Sequence, residues 1–391
     1  MAIGDGIKGN VYILGAVSFL TDVSSEMIFP ILPLFLTTFL GAGTAIVGLI
    51  EGIADSLSSL LDIFIGYWSD ISGDRKKFVL FGYGLSSLSK IGIALATIWP
   101  VVLVFRGLDR IGKIVRTSPR DAIIAESSDT KVRGKAFGLH RTMDTIGAIA
   151  GPAIAYGIFA IFGNGMQAYR DVFYVALIPA FLAVVVILFF VREPQKKEEP
   201  KKEKRPNFWK SLGMLDGTYK RFLAISCIFS LSYFSFALFI VRANEIGINA
   251  GDVVLVYILY NIVYALASTP MGQLSDRLGR RKVIAAAFIL YALVTLGFAF
   301  ASSLWQIALL FAFYGVFVAI DESVNKAYVS DISPEKTRGI ALGAYNTGVG
   351  AVYLPASVLF GAALAAFGAL PAFGAAAAIA LVSGIAMWAT R

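Results

Sequence analysis

The chain has 391 residues, 57% of them hydrophobic and 15% charged, and its mean hydropathy is +0.74. No soluble domain of this length needs so much apolar surface, so lipid is the expected solvent for most of it. The net charge of +8 sits in short turns and one linker instead of a basic folded domain, which excludes a nucleic-acid-binding role.

Twelve apolar spans of roughly 20 residues, the length that crosses a bilayer as helix, are expected. They centre near residues 12–38, 44–68, 78–98, 101–124, 136–161, 171–191, 219–241, 252–274, 282–301, 304–329, 339–366 and 371–390. The runs are continuous and too long for barrel strands, which predicts an all-α membrane protein. The turns after spans 1, 3, 9 and 11 carry almost no charge. The alternate turns hold Arg75, Lys76 and Lys77; Lys131, Arg133 and Lys135; Arg280, Arg281 and Lys282; and Lys336 and Arg338. Positive residues stay in the cytoplasm, so both termini are expected there, in a multi-pass protein of the cell membrane.

Span 1 reads FLTDVSSEMIFPILPLFL. It has no small-residue cleavage site and holds two acids, so it is read as retained rather than as a signal peptide. Asp22 and Glu26 are four apart and share a helix face. A carboxylate at a helix centre in lipid costs roughly 2.5–3.5 kcal/mol, so such acids are functional or paired. Two neighbouring carboxylates away from water do not both carry charge, which suits a proton carrier; neutralisation by the basic span 4 is the plainer alternative. Span 2 adds Glu51 and Asp55.

Span 4 carries Arg106, Asp109, Arg110, Lys113, Arg116, Arg120 and Asp121. Arg106, Arg110, Lys113 and Arg120 fall on one helical stripe, which must line water, substrate or acids because it cannot face lipid. Lys90 of span 3 and Asp109 lie equally far from the Trp99–Pro100 turn, so a buried structural network of Lys90 and Asp109 with Asp55 nearby is expected. Span 5 holds Gly138, Gly147, Gly151 and Pro152, a pattern that suits tight helix packing with a proline kink. Asp144 and Arg141 near its inner end fit a gate network, and His140 is expected to be a surface histidine.

Residues 192–218 form a charged, proline-bearing linker that divides the halves, 1–191 and 219–391. Phe208, Trp209, Leu212 and Leu215 could place a short amphipathic helix on the cytoplasmic leaflet. In the second half, Tyr257 and Asn261 stand in register with Glu51 and Asp55, and span 10 brings Asp321, Glu322, Asn325 and Lys326. The first half is therefore highly charged and the second polar and aromatic. That contrast suggests coupling chemistry in the first and recognition of substrate shape in the second.

Two segments repeat. GYWSDISGDRK, from Gly66 to Lys76, returns as GQLSDRLGRRK, from Gly272 to Lys282, with Asp70 at Asp276 and Arg75 at Arg281. Arg133, Gly134, Ala136 and Gly138 return as Arg338, Gly339, Ala341 and Gly343, preceded by the acids Glu126 and Asp331. A repeat at this distance means two related halves of a membrane protein. Gly66 and Gly272 would let a neighbouring helix approach, while Asp70 and Asp276 could accept bonds from helix N-termini and basic residues.

With these loops the chain resembles the major facilitator superfamily, whose signature between helices 2 and 3 the second copy fits throughout; the first has Ile71 where a basic residue is usual. The resemblance covers the whole chain and implies twelve helices in two pseudo-symmetric six-helix bundles. It implies that the loops form a gate latch closing the cytoplasmic side, from Gly66, Asp70, Arg75 and Arg120 in one half and Gly272, Asp276, Arg281 and Lys326 in the other. Arg116 or Arg120 is then the expected partner of Asp70, and Lys326 that of Asp276. The span 5 glycines with Pro152 resemble the motif of the family's antiporter branch, and Asp22 with Pro30 and Pro33 resembles a drug–proton antiporter pattern. Arg106 takes the place of the family's helix 4 arginine, although Arg110 stands where a glycine is usual. Helices 1, 4, 7 and 10 line the cavity in that family.

The expected function is a secondary transporter that alternates access and exports small organic compounds in exchange for protons. Asp22, Glu26 and Arg106 are the coupling candidates. Glu51, Arg110, Lys113, Tyr257, Asn261, Asp321 and Glu322 are the substrate candidates. An organic-anion or lysolipid transporter using the basic face of span 4 is the alternative. Nothing in the sequence has the layout of an enzyme site. One cysteine, Cys227, and one histidine leave no disulfide or metal cluster to expect, and no cofactor. The expected partners are lipid, protons and a small-molecule substrate, with the chain acting as a monomer.

Overall fold

The computed structural model describes residues 6–57, 74–129, 132–193, 216–334 and 337–390. The expected latch residues Gly66 and Asp70, and the expected amphipathic helix with Phe208, Trp209, Leu212 and Leu215, lie outside the described residues. The described chain is almost entirely helical, with one isolated antiparallel bridge between Ile7 and Ser128. Among the described residues, nine helical stretches are long and apolar enough to cross a membrane.

The chain divides into two compact units, Met1–Gly41 with Leu61–Glu198, and Ala42–Leu60 with Glu199–Arg391. The first unit contains α1 (Gly9–Ile28), α2 (Leu32–Thr38), α4 (Arg75–Leu95), α5 (Trp99–Glu126), α6 (Arg133–Phe162) and α7 (Met166–Phe190). The second contains α3 (residues 44–57), α8 (Gly217–Ser230), α9 (Phe236–Glu245), α10 (Ala250–Leu278), α11 (Arg280–Phe300), α12 (Leu304–Asp331), α13 (Arg338–Phe367) and α14 (Ala369–Ala389). The place of α3 differs from a division at the linker alone. It is bound to α13 by Thr44 Oγ1, which donates to the Gly361 carbonyl at 2.6 Å, and by Ser56 Oγ, which donates to the Gly350 carbonyl at 2.7 Å.

Span 1 is two helices, not one. Pro30 has no amide to continue the ladder, and the chain turns between Ile28 and Leu32. The corresponding span of the second unit is also broken, between Ser230 and Phe236, without a proline. Side chains hold that break open. Tyr291 Oη donates to the Ser232 carbonyl at 2.8 Å, the Ser235 amide donates to Ser357 Oγ at 3.0 Å, and Ser235 Oγ caps the Ala237 amide at 3.4 Å. Irregular backbone in a spanning segment survives only when its polar groups are satisfied this way.

Two glycine contacts fix the packing of the first unit. Gly82 of α4 and Gly112 of α5 face each other, and a Cβ on either would stand 2.6 Å from the other's carbonyl oxygen. Gly147 of α6 lies against α1, where a Cβ would meet the Phe19 carbonyl oxygen at 2.7 Å, and Gly151 is as tightly set against Val23. Small residues let helices close in lipid, where no hydrophobic force drives them together. Pro152 follows inside the continuous helix α6. The second unit has close glycine contacts as well, Gly48 and Gly361 between α3 and α13 and Gly315 of α12 against the Tyr260 carbonyl oxygen, and adds rings: Phe229 stacks on Phe288 at 3.8 Å between centroids, with Tyr291 and Phe317 at 5.3 and 5.9 Å.

Substituting Gly147 or Gly151 with leucine should force α1 and α6 apart and cost about 1–3 kcal/mol. Gly138→Ala, at a position with nothing within 4 Å of an added Cβ, should be harmless. Thermal melts of the detergent-purified variants check this; a Gly147→Leu protein melting like the parent would refute the close contact.

Candidate functional site

The polar interior of the first unit is built on α5, which begins with Trp99 and Pro100 in its first turn and runs 28 residues with Pro119 inside it. Of its cations Arg106 and Arg116 are buried, Arg110 and Arg120 half-buried and Lys113 exposed. Arg106 and Asp109 are 5% and 7% exposed, and Arg106 Nη1 lies 3.4 Å from Asp109 Oδ2. The other Asp109 oxygen accepts from Ser86 Oγ, and the Arg106 guanidinium sits 5.8 Å from the centroid of the Phe29 ring beside the helix break.

Lys90 is equally buried but has different partners. Its Nζ donates to Ser24 Oγ at 2.7 Å and Ser25 Oγ at 3.0 Å on α1, and Ser24 passes a bond to the Ala176 carbonyl of α7 at 2.6 Å. Lys90 and Asp109 therefore interact electrostatically but do not form the direct ion pair expected, because α4 turns the lysine toward α1. Asp55, expected beside them, belongs to α3 in the second unit, where it interacts electrostatically with Tyr353.

Asp22 lies on the α1 face covered by Gly147, where a glycine Cβ would come within 3.1 Å of the Asp22 Cβ. It interacts electrostatically with Asp144 of α6, with Glu26, and with Lys113 and Arg116 of α5. Lys113 in turn interacts with Arg110, Asp22, Arg116 and Glu26. The structure thus gathers Asp22, Glu26, Arg110 and Lys113 into one cluster and adds Asp144 and Arg116. Arg116 is buried, packs at 4.1 Å over the Tyr83 ring, and its Nη1 finds no hydrogen-bond partner among the described residues. Arg120 is engaged by Asp121 at 2.9 Å and by Ser18 Oγ at 3.5 Å. Asp144 pairs with Arg141 at 3.8 Å. His140 is not the expected surface residue: it is 5% exposed, enclosed within the unit.

At the Lys/Arg-rich end, Arg75 pairs with Glu126. In the second unit Arg280, not Arg281, does the same, with Nε 2.6 Å from Asp331 Oδ2. The helices explain the difference. The lengths of α4, α5 and α6 (21, 28 and 30 residues) recur in α11, α12 and α13, and their starts pair Arg75 with Arg280, Trp99 with Leu304 and Arg133 with Arg338. Asp74 stands at the start of α4, where the Lys77 ammonium holds its carboxyl below the usual range. Among the described residues Asp276 pairs with Arg280 at 3.4 Å, not with Lys326, and no neighbour lies within 4 Å of a Cβ built on Gly272. That glycine makes no close helix contact here.

The second unit arranges tyrosines. Tyr257, Tyr260 and Tyr264 stack along α10 at 5.6 and 6.3 Å. Phe236 and Tyr314 pack on Tyr260 at 5.0 and 5.7 Å. Tyr264 Oη donates to Glu322 at 2.5 Å, and Asn325 Nδ2 donates to Asp321 at 2.6 Å. Asn261 spends its amide on the Tyr257 carbonyl of its own helix, at 3.2 Å. The sequence reading named Tyr257, Asp321 and Glu322; the structure sets Tyr260, Tyr264 and Tyr314, which it did not name, against them. The spacing of three and four between the α10 tyrosines was the available signal.

The sequence model described as Major Facilitator Superfamily matches residues 14–242 and 221–391. An uncharacterized MFS-type transporter of Methanocaldococcus jannaschii is 41% identical over 361 residues, covering 91% of this chain and 88% of its own. The multidrug resistance protein MdtG of Dickeya zeae is 25% identical over 329 residues, 78% of this chain and 75% of that one. Among solved structures, a nucleoside transporter aligns with a TM-score of 0.81 at 13% identity, covering 97% of this chain and 99% of that one. A D-xylose–proton symporter aligns at 0.76 with 16% identity, covering 97% and 96%.

The paired helix starts make a measurable claim about α11. A double-mutant cycle between Arg280 and Asp331 should give a coupling of about 0.5–1 kcal/mol, as for a partly exposed pair. The same cycle between Arg281 and Asp331 should give none, and a larger coupling for Arg281 would restore the alignment by sequence identity.

Proposed function

The chain belongs to the Major Facilitator Superfamily, and from that premise we propose that it is a proton-coupled antiporter exporting small organic compounds. Membership makes it a multi-pass membrane transporter of small molecules. The further reading rests on one observation: Asp22 and Glu26 share a face of α1, with Asp144 beside Asp22 and the cations Lys113 and Arg116 opposite. Binding of a proton to half-buried acids beside cations changes the charge of the whole cluster. Proton binding would release Lys113 and Arg116 from their carboxylates, and deprotonation would re-engage them. A transporter biased between two states by that exchange needs no more than a difference in proton affinity between them.

In this proposal α1 with α2, and α8 with α9, are single bent spans, so six spans in 1–191 and six in 219–391 form two bundles joined by 192–218. Both termini are cytoplasmic and the chain works as a monomer in the cell membrane. The latch of Asp70, Asp276 and their basic neighbours closes the cytoplasmic side. The tyrosines of α10 and α12 recognise the substrate by shape and stacking, which suits a multidrug substrate range such as the name of the MdtG relative carries. Arg106 acts with Asp109 as support for the coupling acids.

The buried Arg116 Nη1 without an acceptor favours a second reading, in which the basic face of α5 takes an organic anion or a lysolipid headgroup.

Proteoliposomes with an imposed pH gradient separate the two. Export of organic cations should follow the gradient, and Asp22→Asn or Glu26→Gln should lower it at least about tenfold while the protein still inserts and melts normally. Flux restricted to anions would favour the second reading, and gradient-independent flux in the parent protein would refute antiport.

A further inference from the structure

The first unit closes the start of α4 with an anion of its own. The amides of Arg75 and Lys76 donate to the two carboxylate oxygens of Glu193, at 3.1 and 2.7 Å. Glu193 lies just past Val191, the residue that ends α7. Lys76 Nζ reaches back to the Leu188 carbonyl at 2.9 Å. A helix start with free amides and basic side chains is a natural seat for negative charge.

The second unit repeats these helices. Arg280 and Arg281 open α11 where Arg75 and Lys76 open α4, and Thr390 ends α14 as Val191 ends α7. Gly279 offers α11 no side-chain cap. Beside these helices lies a cleft of about 50 Å³, lined by Arg221, Phe222, Arg281, Tyr328, Met387 and Thr390, with Thr218. Arg281 has no acceptor among the described residues. Arg221 makes one long bond there, from Nε to the Gly217 carbonyl at 3.4 Å. The nearby acid, Asp216, caps the start of α8 through Thr218 and also interacts electrostatically with Arg221. Phe222 and Met387 are almost fully buried and give the cleft an apolar floor, while the Tyr328 hydroxyl lies free of partners among the described residues.

The cleft lies at the Lys/Arg-rich ends of α8, α11, α12 and α14. Beside it Trp388 is 58% exposed on the face of α14, the position of an aromatic anchor at a membrane interface. We propose that this cleft binds a phosphate group, held by the guanidinium forks of Arg221 and Arg281 and the Tyr328 hydroxyl. Arginine forks match phosphate oxygens in pairs, and basic pockets between spanning helices take phosphorylated headgroups. The phosphate comes from an anionic phospholipid of the adjoining leaflet or from free phosphate in solution; the same groups recognise both.

The detergent-purified full chain is titrated separately with short-chain phosphatidylglycerol and with inorganic phosphate. The Arg221→Gln/Arg281→Gln double variant should bind whichever of them the parent binds roughly twenty- to thirtyfold more weakly, at about one tenfold step or less per arginine. Lys282→Gln, at an exposed lysine outside the lining, should bind like the parent. Saturable binding of phosphatidylglycerol alone assigns the site to a lipid headgroup, and binding of inorganic phosphate as well assigns it to the free ion. Because the double variant could fold poorly, phenylglyoxal modification of the parent protein supplies an independent measure. Arg221 and Arg281 should be protected by the bound probe while the exposed Arg192 is not. Unchanged affinity in a folded double variant, or no protection of either arginine, would overturn the proposal.

Discussion

A helix in lipid has nowhere to send an unmet amide, carbonyl or charge except into protein, and that constraint orders this structure from backbone to site. It explains why the broken spans are stitched by side chains. Ser232, Ser235, Ser357 and Tyr291 converge on one short irregular segment because water is not there to solvate it. It explains equally why Lys90 is met by two serines and why Asp109 is shared between Ser86 and Arg106. A charge near the middle of a spanning helix persists only where several helices agree to surround it, so the cations of α5 also dictate which faces of α1, α4 and α6 turn inward.

The same constraint divides labour between the units. Both carry an arginine at the start of a helix paired with an acid at the end of the next, Arg75 with Glu126 and Arg280 with Asp331, so this element belongs to the shared frame. The interiors then diverge. The first unit fills its core with charges and lets glycines bring α1 against α6, because charged side chains need short reaches to their partners. The second fills it with tyrosines and phenylalanines, while glycines such as Gly315 and Gly361 still bring its helices close.

Much of this was legible in the sequence, for physical reasons. Spans were visible because lipid demands long apolar runs, and the charged stripe of α5 was visible because four cations cannot face hydrocarbon. Asp22 and Glu26 were placed together by their spacing alone. What escaped depended on rotation and on partners distant in the chain. The hairpin through Trp99 and Pro100 fixed the depth of Lys90 but not its direction, so its bonds to Ser24 and Ser25 could not be foreseen. Pro30 announced one helix break; the other, between Ser230 and Phe236, is set by Ser357 and Tyr291 and leaves no local mark. His140 looked like a surface residue because its own helix end is polar, yet the unit folds over it.

The slip of one residue in the repeat is the most instructive difference. Matching identities aligns Arg75 with Arg281 and Lys76 with Lys282, because arginine and lysine recur there and any short motif is scored by letters. The helices align Arg75 with Arg280, because Asp74 begins one helix and Gly279 the other. Gly279 takes a positive φ of 93°, a turn that glycine makes without the penalty a side chain would bring. The consequence reaches beyond bookkeeping of positions. With Arg280 committed to Asp331 and Asp276, Arg281 is released from the frame and left facing the cleft beside Arg221. In the first unit the corresponding lysine and the amides beside it are already served by Glu193. The ion pair at the start of the helix, Arg75 with Glu126 and Arg280 with Asp331, is thus kept in both units while the groups beside it differ.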